Sequence, residues 1–297
     1  MNMKRTTFEK VFDIINIFFM IIIVIIMLYP IWNTIVISFN DARDTMKGGL
    51  TIWPREFSMF NYQTVLNNPH LVTSFFVSVA RTVLQVIFGV IAAALLAYVL
   101  SRKEFVLRRF VTVFMVLTMY VSAGLIPQYF LFRDLGLINN FWVYIIPSMV
   151  GPFNVIVIRT YINSLPPSLV EAARIDGASE LRTFVSIIFP LCLPVLATIA
   201  LWIGVGAWND WFTSFIFAPR QELSTLQYEL MKVLSSAFQQ SAGQGVQGMA
   251  PGQQMASITT PNSIRAAMTM IATVPILLVY PFLQKYFVTV NIGSVKE

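Results

Sequence analysis

The chain has 297 residues, of which 57% are hydrophobic and 11% charged, with a formal net charge of +6. Soluble domains carry roughly 25% charged residues, and the shortfall here lies in long uncharged runs, which excludes an ordinary soluble fold. The positive charge is confined to particular loops, so it reads as a topology signal and not as a nucleic-acid-binding surface.

Six apolar segments follow in chain order, at about 12–37, 74–100, 110–132, 138–160, 185–209 and 265–288. Each approaches or exceeds the ~20 residues that a helix needs to cross ~30 Å of hydrocarbon. Water is absent there, so each backbone must satisfy its own hydrogen bonds, which a helix does. The runs are continuously apolar and do not alternate, which argues against a β-barrel. The first run is too long for a signal peptide and has no small-residue cleavage site after it, so it is expected to be a retained helix.

If the segments alternate across a membrane, Lys4, Arg5, Lys10, Arg102, Lys103, Arg108, Arg109, Arg159, Arg174, Arg182, Lys285 and Lys296 fall on one side, 12 of the 20 basic residues. Longer loops on the other side hold Arg43, Lys47, Arg55, Arg133, Arg220 and Lys232. Positive charge collects on the cytoplasmic side, which puts both termini there. Arg81 and Arg265 sit at segment ends and are expected to snorkel. The single Cys192 excludes an intramolecular disulfide and reads as a small buried residue. The lone His70 cannot form a metal cluster, and no role is assigned to it.

Asp134-Leu135-Gly136 marks a tight turn between helices. Leu223 to Phe238 has helical spacing. Gln239 to Gln254 is uncharged and rich in Gln and Gly, and is either a mobile linker or a segment that orders against a partner. No Gly-rich phosphate loop of the Lys-Ser/Thr type appears.

The most informative stretch is 163–194. Pro166-Pro167 ends the preceding helix. Ser168 with Glu171 is a capping-box pattern that starts a short helix, and Leu169, Ala172 and Ala173 give it a small apolar face. Asp176-Gly177 breaks it, and Ser179 can cap a second helix running toward Pro190 and Pro194. Two short helices joined by a sharp turn suit docking into a groove on another protein or lying on lipid headgroups.

This stretch resembles the EAA loop of binding-protein-dependent ABC import permeases: Glu171-Ala172-Ala173, then Gly177, Ile187 and Phe189-Pro190, with Phe189 where the family has Leu. Asp176-Gly177-Ala178, Phe184, Trp208-Asn209-Asp210-Trp211 and the tail from Tyr280 to Phe287 and Gly293 to Lys296 are similar to the carbohydrate-uptake branch, and among these to the maltose-type second permease and to permeases for oligosaccharides or polysaccharide fragments. The resemblance implies an all-α integral membrane protein of the type I importer permease fold, with six transmembrane helices and cytoplasmic termini. It implies one permease domain over 1–297, with core helices about 74–288, a coupling loop about 163–190 and an external loop about 212–264. It further implies that the chain is not an enzyme and binds no cofactor. ATP and Mg belong to two partner ATPase subunits, a second permease completes the pathway in the cell membrane, and an external solute-binding protein delivers a carbohydrate. Glu171, Ala172, Ala173, Asp176, Gly177 and Ala178 would then form the ATPase-coupling elbow.

Sugar sites pair amides or carboxylates with aromatic rings. Trp208, Asn209, Asp210 and Trp211 offer that chemistry near the end of the fifth segment, as a substrate contact or as an aromatic belt. Asn154 follows the Gly151-Pro152 break, which is a pathway feature or a simple kink. Tyr120, Ser122 and Gln128 are weaker candidates. Other cargo, or an ATP-independent secondary transporter, are the alternatives; the latter often shows paired repeats, and no convincing repeat is seen.

Overall fold

A computed structural model describes residues 7–49, 52–243 and 260–293. Among these residues the chain is helical, with no strand and one isolated antiparallel bridge between Asn40 and Phe57. Lys4, Arg5, the tail 294–297 and residues 244–259, which take in the Gln/Gly-rich stretch from 244 to 254, lie outside the described residues. The chain divides into two compact units, one of residues 1–68 and 232–273, the other of 69–231 and 274–297.

The first unit begins with α1 (Thr7–Ser38). The most apolar part of Lys10–Ser38 has no buried residue and so stands without internal cover; such a surface needs lipid or another protein around it. Short helices α2 (Ala42–Met46) and α3 (Phe60–Leu66) follow. Asn61 Nδ2 donates to the carbonyls of Ser38 (3.1 Å) and Asn40 (2.9 Å), and the Ser38 and Tyr62 hydroxyls lie 2.8 Å apart. These bonds satisfy carbonyls that the end of α1 leaves open.

The second unit opens with α4 (Pro69–Ser101). Its successors are α5 (Arg108–Tyr120), α6 (Leu125–Asp134), two 3-10 turns at Phe141–Tyr144 and Ile146–Ser148, and α7 (Pro152–Ser164). Then come α8 (Ser168–Ile175), α9 (Glu180–Thr183), a π-helical turn Phe184–Ile188, α10 (Phe189–Leu191), α11 (Leu193–Asn209) and α12 (Phe212–Phe217). Helices α13 (Leu226–Gly243) and α14 (Pro261–Gly293) complete the chain. The spacing-based helix at Leu223 to Phe238 is thus present, and it extends into the Gln-rich stretch as far as Gly243.

Helices α4, α7 and α11 pack around Ala93, Ala94, Ala97, Val155, Ile158, Leu196 and Ile199, all buried. Small residues let backbones approach. A Cβ on Gly89 would meet Ile203 Cδ1 at 3.0 Å, and one on Gly204 would meet Val86 Cγ2 at 3.3 Å. The close α4–α11 contact therefore depends on two glycines facing each other's helix.

Four sequence expectations change. The segment 110–132 is not one helix: it breaks at Val121–Gly124, where Val121 is extended and Gly124 has φ 85°. Pro127 lacks the N–H that would bond back to Ala123, so the ladder restarts at Leu125. The segment 185–209 also bends, by 79° between Glu180–Leu191 and Leu193–Asn209, and the pair Phe141–Ser148 with Pro152–Ser164 bends by 45°. Among the described residues two unbroken helices, Lys10–Ser38 and Pro69–Ser101, are long and apolar enough to span a membrane. Finally, Arg81 does not snorkel but is buried within α4 at 3% exposure.

Candidate functional site

The stretch between α7 and α11 folds as an elbow. Pro166 and Pro167 stop α7, and α8 begins with Pro167 as its N-cap and no side-chain cap bond. The expected Ser168–Glu171 box therefore does not close. Proline's fixed φ already matches the helical value, and the Pro167 carbonyl takes the N–H groups of Val170 and Glu171. At the other end the Gly177 N–H donates to Arg174 O (3.0 Å) and the Ala178 N–H to Ala173 O (2.9 Å). This pair of bonds is a Schellman turn, which needs a left-handed residue, and Gly177 has φ 73°. Ser179 then caps α9, its Oγ accepting from the Arg182 N–H at 3.3 Å.

A charged tie fixes the elbow. Arg174 donates from Nη2 to Glu180 Oε1 (2.9 Å) and from Nη1 to Glu104 Oε1 (2.8 Å) in the α4–α5 loop. The Tyr98 hydroxyl donates to Glu180 Oε2 at 2.6 Å, and the Arg102 guanidinium lies 4.2 Å over the Tyr98 ring. Arg174 holds the Glu104 carboxyl below its ordinary range, the Tyr98 hydroxyl does so foremost for Glu180, and the two carboxylates raise Arg174. Ala173 is buried, Ala178 half-buried, and Glu171, Ala172, Asp176 and Gly177 are exposed. Ile175 and Leu181, which sequence reasoning passed over, are large apolar side chains 87% and 66% exposed on the same bend. Exposed apolar groups on a rigid bend fit a docking surface.

Arg174→Glu should free the elbow while leaving global stability nearly unchanged, because exposed ion pairs add little to the stability of a whole fold. Limited proteolysis within 168–183 should become faster than in the wild type, and equal rates would refute the tie. The carboxylates titrate below their ordinary value of ~4.3, so the tie is complete above that pH and is lost as pH falls through the lowered values. Wild-type protection should follow that course.

The other candidates do not share one element. Tyr120 ends α5 and is exposed, Ser122 lies in the break, and Gln128 is exposed on α6. Asn154 is half-buried in α7, its Nδ2 2.8 Å from where a Cβ on Gly151 would lie, so its amide closes over the start of that helix. Trp208 is buried, with its ring edge-on to Phe75 at 6.2 Å. Asn209 is exposed, and its Nδ2 donates to Val205 O at 3.0 Å. Trp211 packs with Phe212 and Phe215. Asp210 is not a free carboxylate: its Oδ2 pairs with Arg81 Nη2, its Oδ1 accepts from the Thr213 N–H (3.1 Å), and Arg81 Nη1 donates to its carbonyl (2.8 Å). Arg81 also lies 4.5 Å over the Tyr144 ring. The pair ties α4 to the end of α11 across 129 positions, a distance at which sequence spacing carries no signal.

Residues 85–289 match the family described as binding-protein-dependent transport system inner membrane component. The chain is 34% identical over 296 residues to Protein LplC of Bacillus subtilis (strain 168), covering 99% of this chain and 98% of that protein. It is 31% identical over 291 residues to the polygalacturonan/rhamnogalacturonan transport system permease protein YtcP of the same organism, covering 97% and 99%. Among solved structures it is similar to a chain of a bacterial ABC transporter involved in the import of the acidic polysaccharide alginate, with TM-score 0.81 and 28% identity over 96% of this chain and all of that one.

Proposed function

Since the chain belongs to the family of inner membrane components of binding-protein-dependent transport systems, we propose that it is one of two permease subunits of an ATP-driven carbohydrate importer. It is a membrane-integral, all-helical permease of the type I ABC importer fold, and it is not itself an enzyme. In the proposed assembly it crosses the membrane six times with both termini in the cytoplasm, which the 12 basic residues sharing one side support. The bent helix pairs serve as broken spans, tolerated where freed backbone groups face protein or a cavity. The cargo is an oligosaccharide or polysaccharide fragment handed over by an external solute-binding protein. The substrates named for YtcP and for the alginate transporter support that class.

The elbow carries this reading. Two ATPase subunits bind ATP and Mg on the cytoplasmic side and close on each other. Coupling between proteins requires that each state of one favour a state of the other, and a stiff bracket transmits the shift that a loose loop would absorb. The Schellman turn at Gly177 and the Arg174 tie make the bend stiff. Glu171 then faces basic groups of the ATPase, with Ile175 and Leu181 in its groove. Asp210, held by Arg81, positions the neighbouring tryptophans at the outer mouth of the pathway, and Asn154, Tyr120 and Gln128 are lesser pathway contacts.

Affinity purification of the tagged chain from membranes tests the assembly: an ATPase and a second permease should accompany it, and the binding protein should stimulate ATP hydrolysis. Transport that persists without an ATPase, or labelling of the elbow from outside intact cells, would sink the proposal.

A further inference from the structure

The first unit contains a cavity of about 460 Å³. It is walled by the last turns of α1, the loop after it, α13 at Leu234 and the first turns of α14. Among the described residues two guanidinium groups, Arg55 and Arg265, line it, and no carboxylate does. Arg55 is set in place: Nε pairs with Asp44 at 2.9 Å and Nη2 donates to Gly48 O at 2.6 Å. Asp44 also accepts from Lys47 (3.1 Å), and Lys47 lies 4.0 Å from Glu56. Around the cavity three cations, Arg55, Lys47 and Arg265, therefore face two carboxylates, and the surplus lies on Arg265. The rest of the lining mixes hydroxyls and amides, among them Thr34, Asn40, Asn262 and Thr269, with the apolar Val36, Ile37, Leu234 and Ala266, and holds no aromatic ring among the described residues. The first N–H groups of α14 add to the positive potential there.

We propose that this cavity is an anion site that takes the carboxylate of an acidic sugar, with Arg265 as its partner and the lining hydroxyls and amides on the sugar's own hydroxyls. The proposal rests on the carbohydrate-importer reading, which also places the cavity at the outer membrane surface where cargo arrives. A planar guanidinium grips a carboxylate through two parallel bonds that a neutral ester cannot match. Arg55, immobilised by Asp44, supplies field without collapsing into the space. A phospholipid phosphate shares the charge, and the experiment separates it from a sugar carboxylate.

The test is uptake of trigalacturonate and of its neutral methyl ester by the complete importer in proteoliposomes of zwitterionic lipid. The wild type should prefer the acid, and Arg265→Gln should shrink the acid-to-ester ratio of kcat/KM about tenfold through KM, the effect of losing one charge-assisted pair. Arg265→Lys should keep part of the preference. Equal losses for both sugars, or none, would overturn the site. If the wild type carries neither sugar, the carbohydrate reading fails by itself. Equilibrium dialysis of trigalacturonate against the same complex then decides the site: binding lost in Arg265→Gln upholds it, and no binding to the wild type overturns it. An anionic phospholipid that co-purifies with the wild type and not with Arg265→Gln would also overturn it, since the anion would then be a lipid phosphate.

Discussion

Asp210→Ala is expected to lower the stability of the solubilised protein by about 3 kcal/mol, because removing one partner leaves a buried charge unpaired. Arg81 is 3% exposed, and the Asp210 carboxylate is its ion-pair partner. The Thr213 N–H would lose its acceptor in the same step. Arg81→Met combined with Asp210→Asn should recover most of the loss: the asparagine oxygen can still take the Thr213 N–H, and paired replacement of buried ions is often nearly neutral. Thermal unfolding of the wild type and the two variants in one detergent decides the matter. Wild-type stability in Asp210→Ala, or a double variant no better than the single one, would show that the pair does not hold α4 to α11.

Gly177→Val should abolish most uptake while membrane insertion and ATP binding by the partner persist. A Cβ at this position meets nothing within 4 Å, so no clash is involved. The cost is conformational: the left-handed region costs a residue with a Cβ about 1–2 kcal/mol, and a β-branched one more. Since ~1.4 kcal/mol is a factor of ten, leaving that region and breaking both Schellman bonds becomes the cheaper course. Gly177→Asn should behave much closer to wild type, because Asn tolerates positive φ, and Gly177→Ala should lie between. Uptake with ATP hydrolysis measured in parallel provides the check. Loss in the asparagine variant equal to that in the valine variant would mean that side-chain bulk matters, not backbone handedness.

The features that could be read in advance are those written locally. Uninterrupted apolar length marks α1 and α4, helical spacing marks α13, and Pro166-Pro167, Asp176-Gly177 and Ser179 punctuate the elbow. What escaped reading depends on residues far apart in the chain. Arg81 reads as a residue at the end of a segment until the structure shows Asp210 beside it. Glu104 and Glu180 are ordinary acidic residues until the fold brings Arg174 between them. The interruptions at Val121–Gly124 and at Cys192 had local signals in Gly124, Pro127, Pro190 and Pro194, but hydropathy averaged over a window runs straight across them. The start of α8 was misassigned by one residue for a related reason: a side-chain cap was inferred where proline geometry alone suffices.

The π-helical turn at Phe184–Ile188 has a consequence for how the bend is aimed. Phe189 N–H bonds to Phe184 O, five residues back, since Pro190 cannot close the ordinary ladder onto Ser186. One surplus residue is thereby taken up between the bracket and the helix that follows. Each residue of an α-helix turns the chain by ~100°, so deleting the exposed Ser186 would restore a regular winding and swing Glu171 and Ile175 by about that angle around the axis. The Schellman bonds and the Arg174–Glu180 pair would survive, while the ties to Glu104 and Tyr98 would be lost and the outer side would point away from its mate. The irregular winding thus sets the compass bearing of a rigid part.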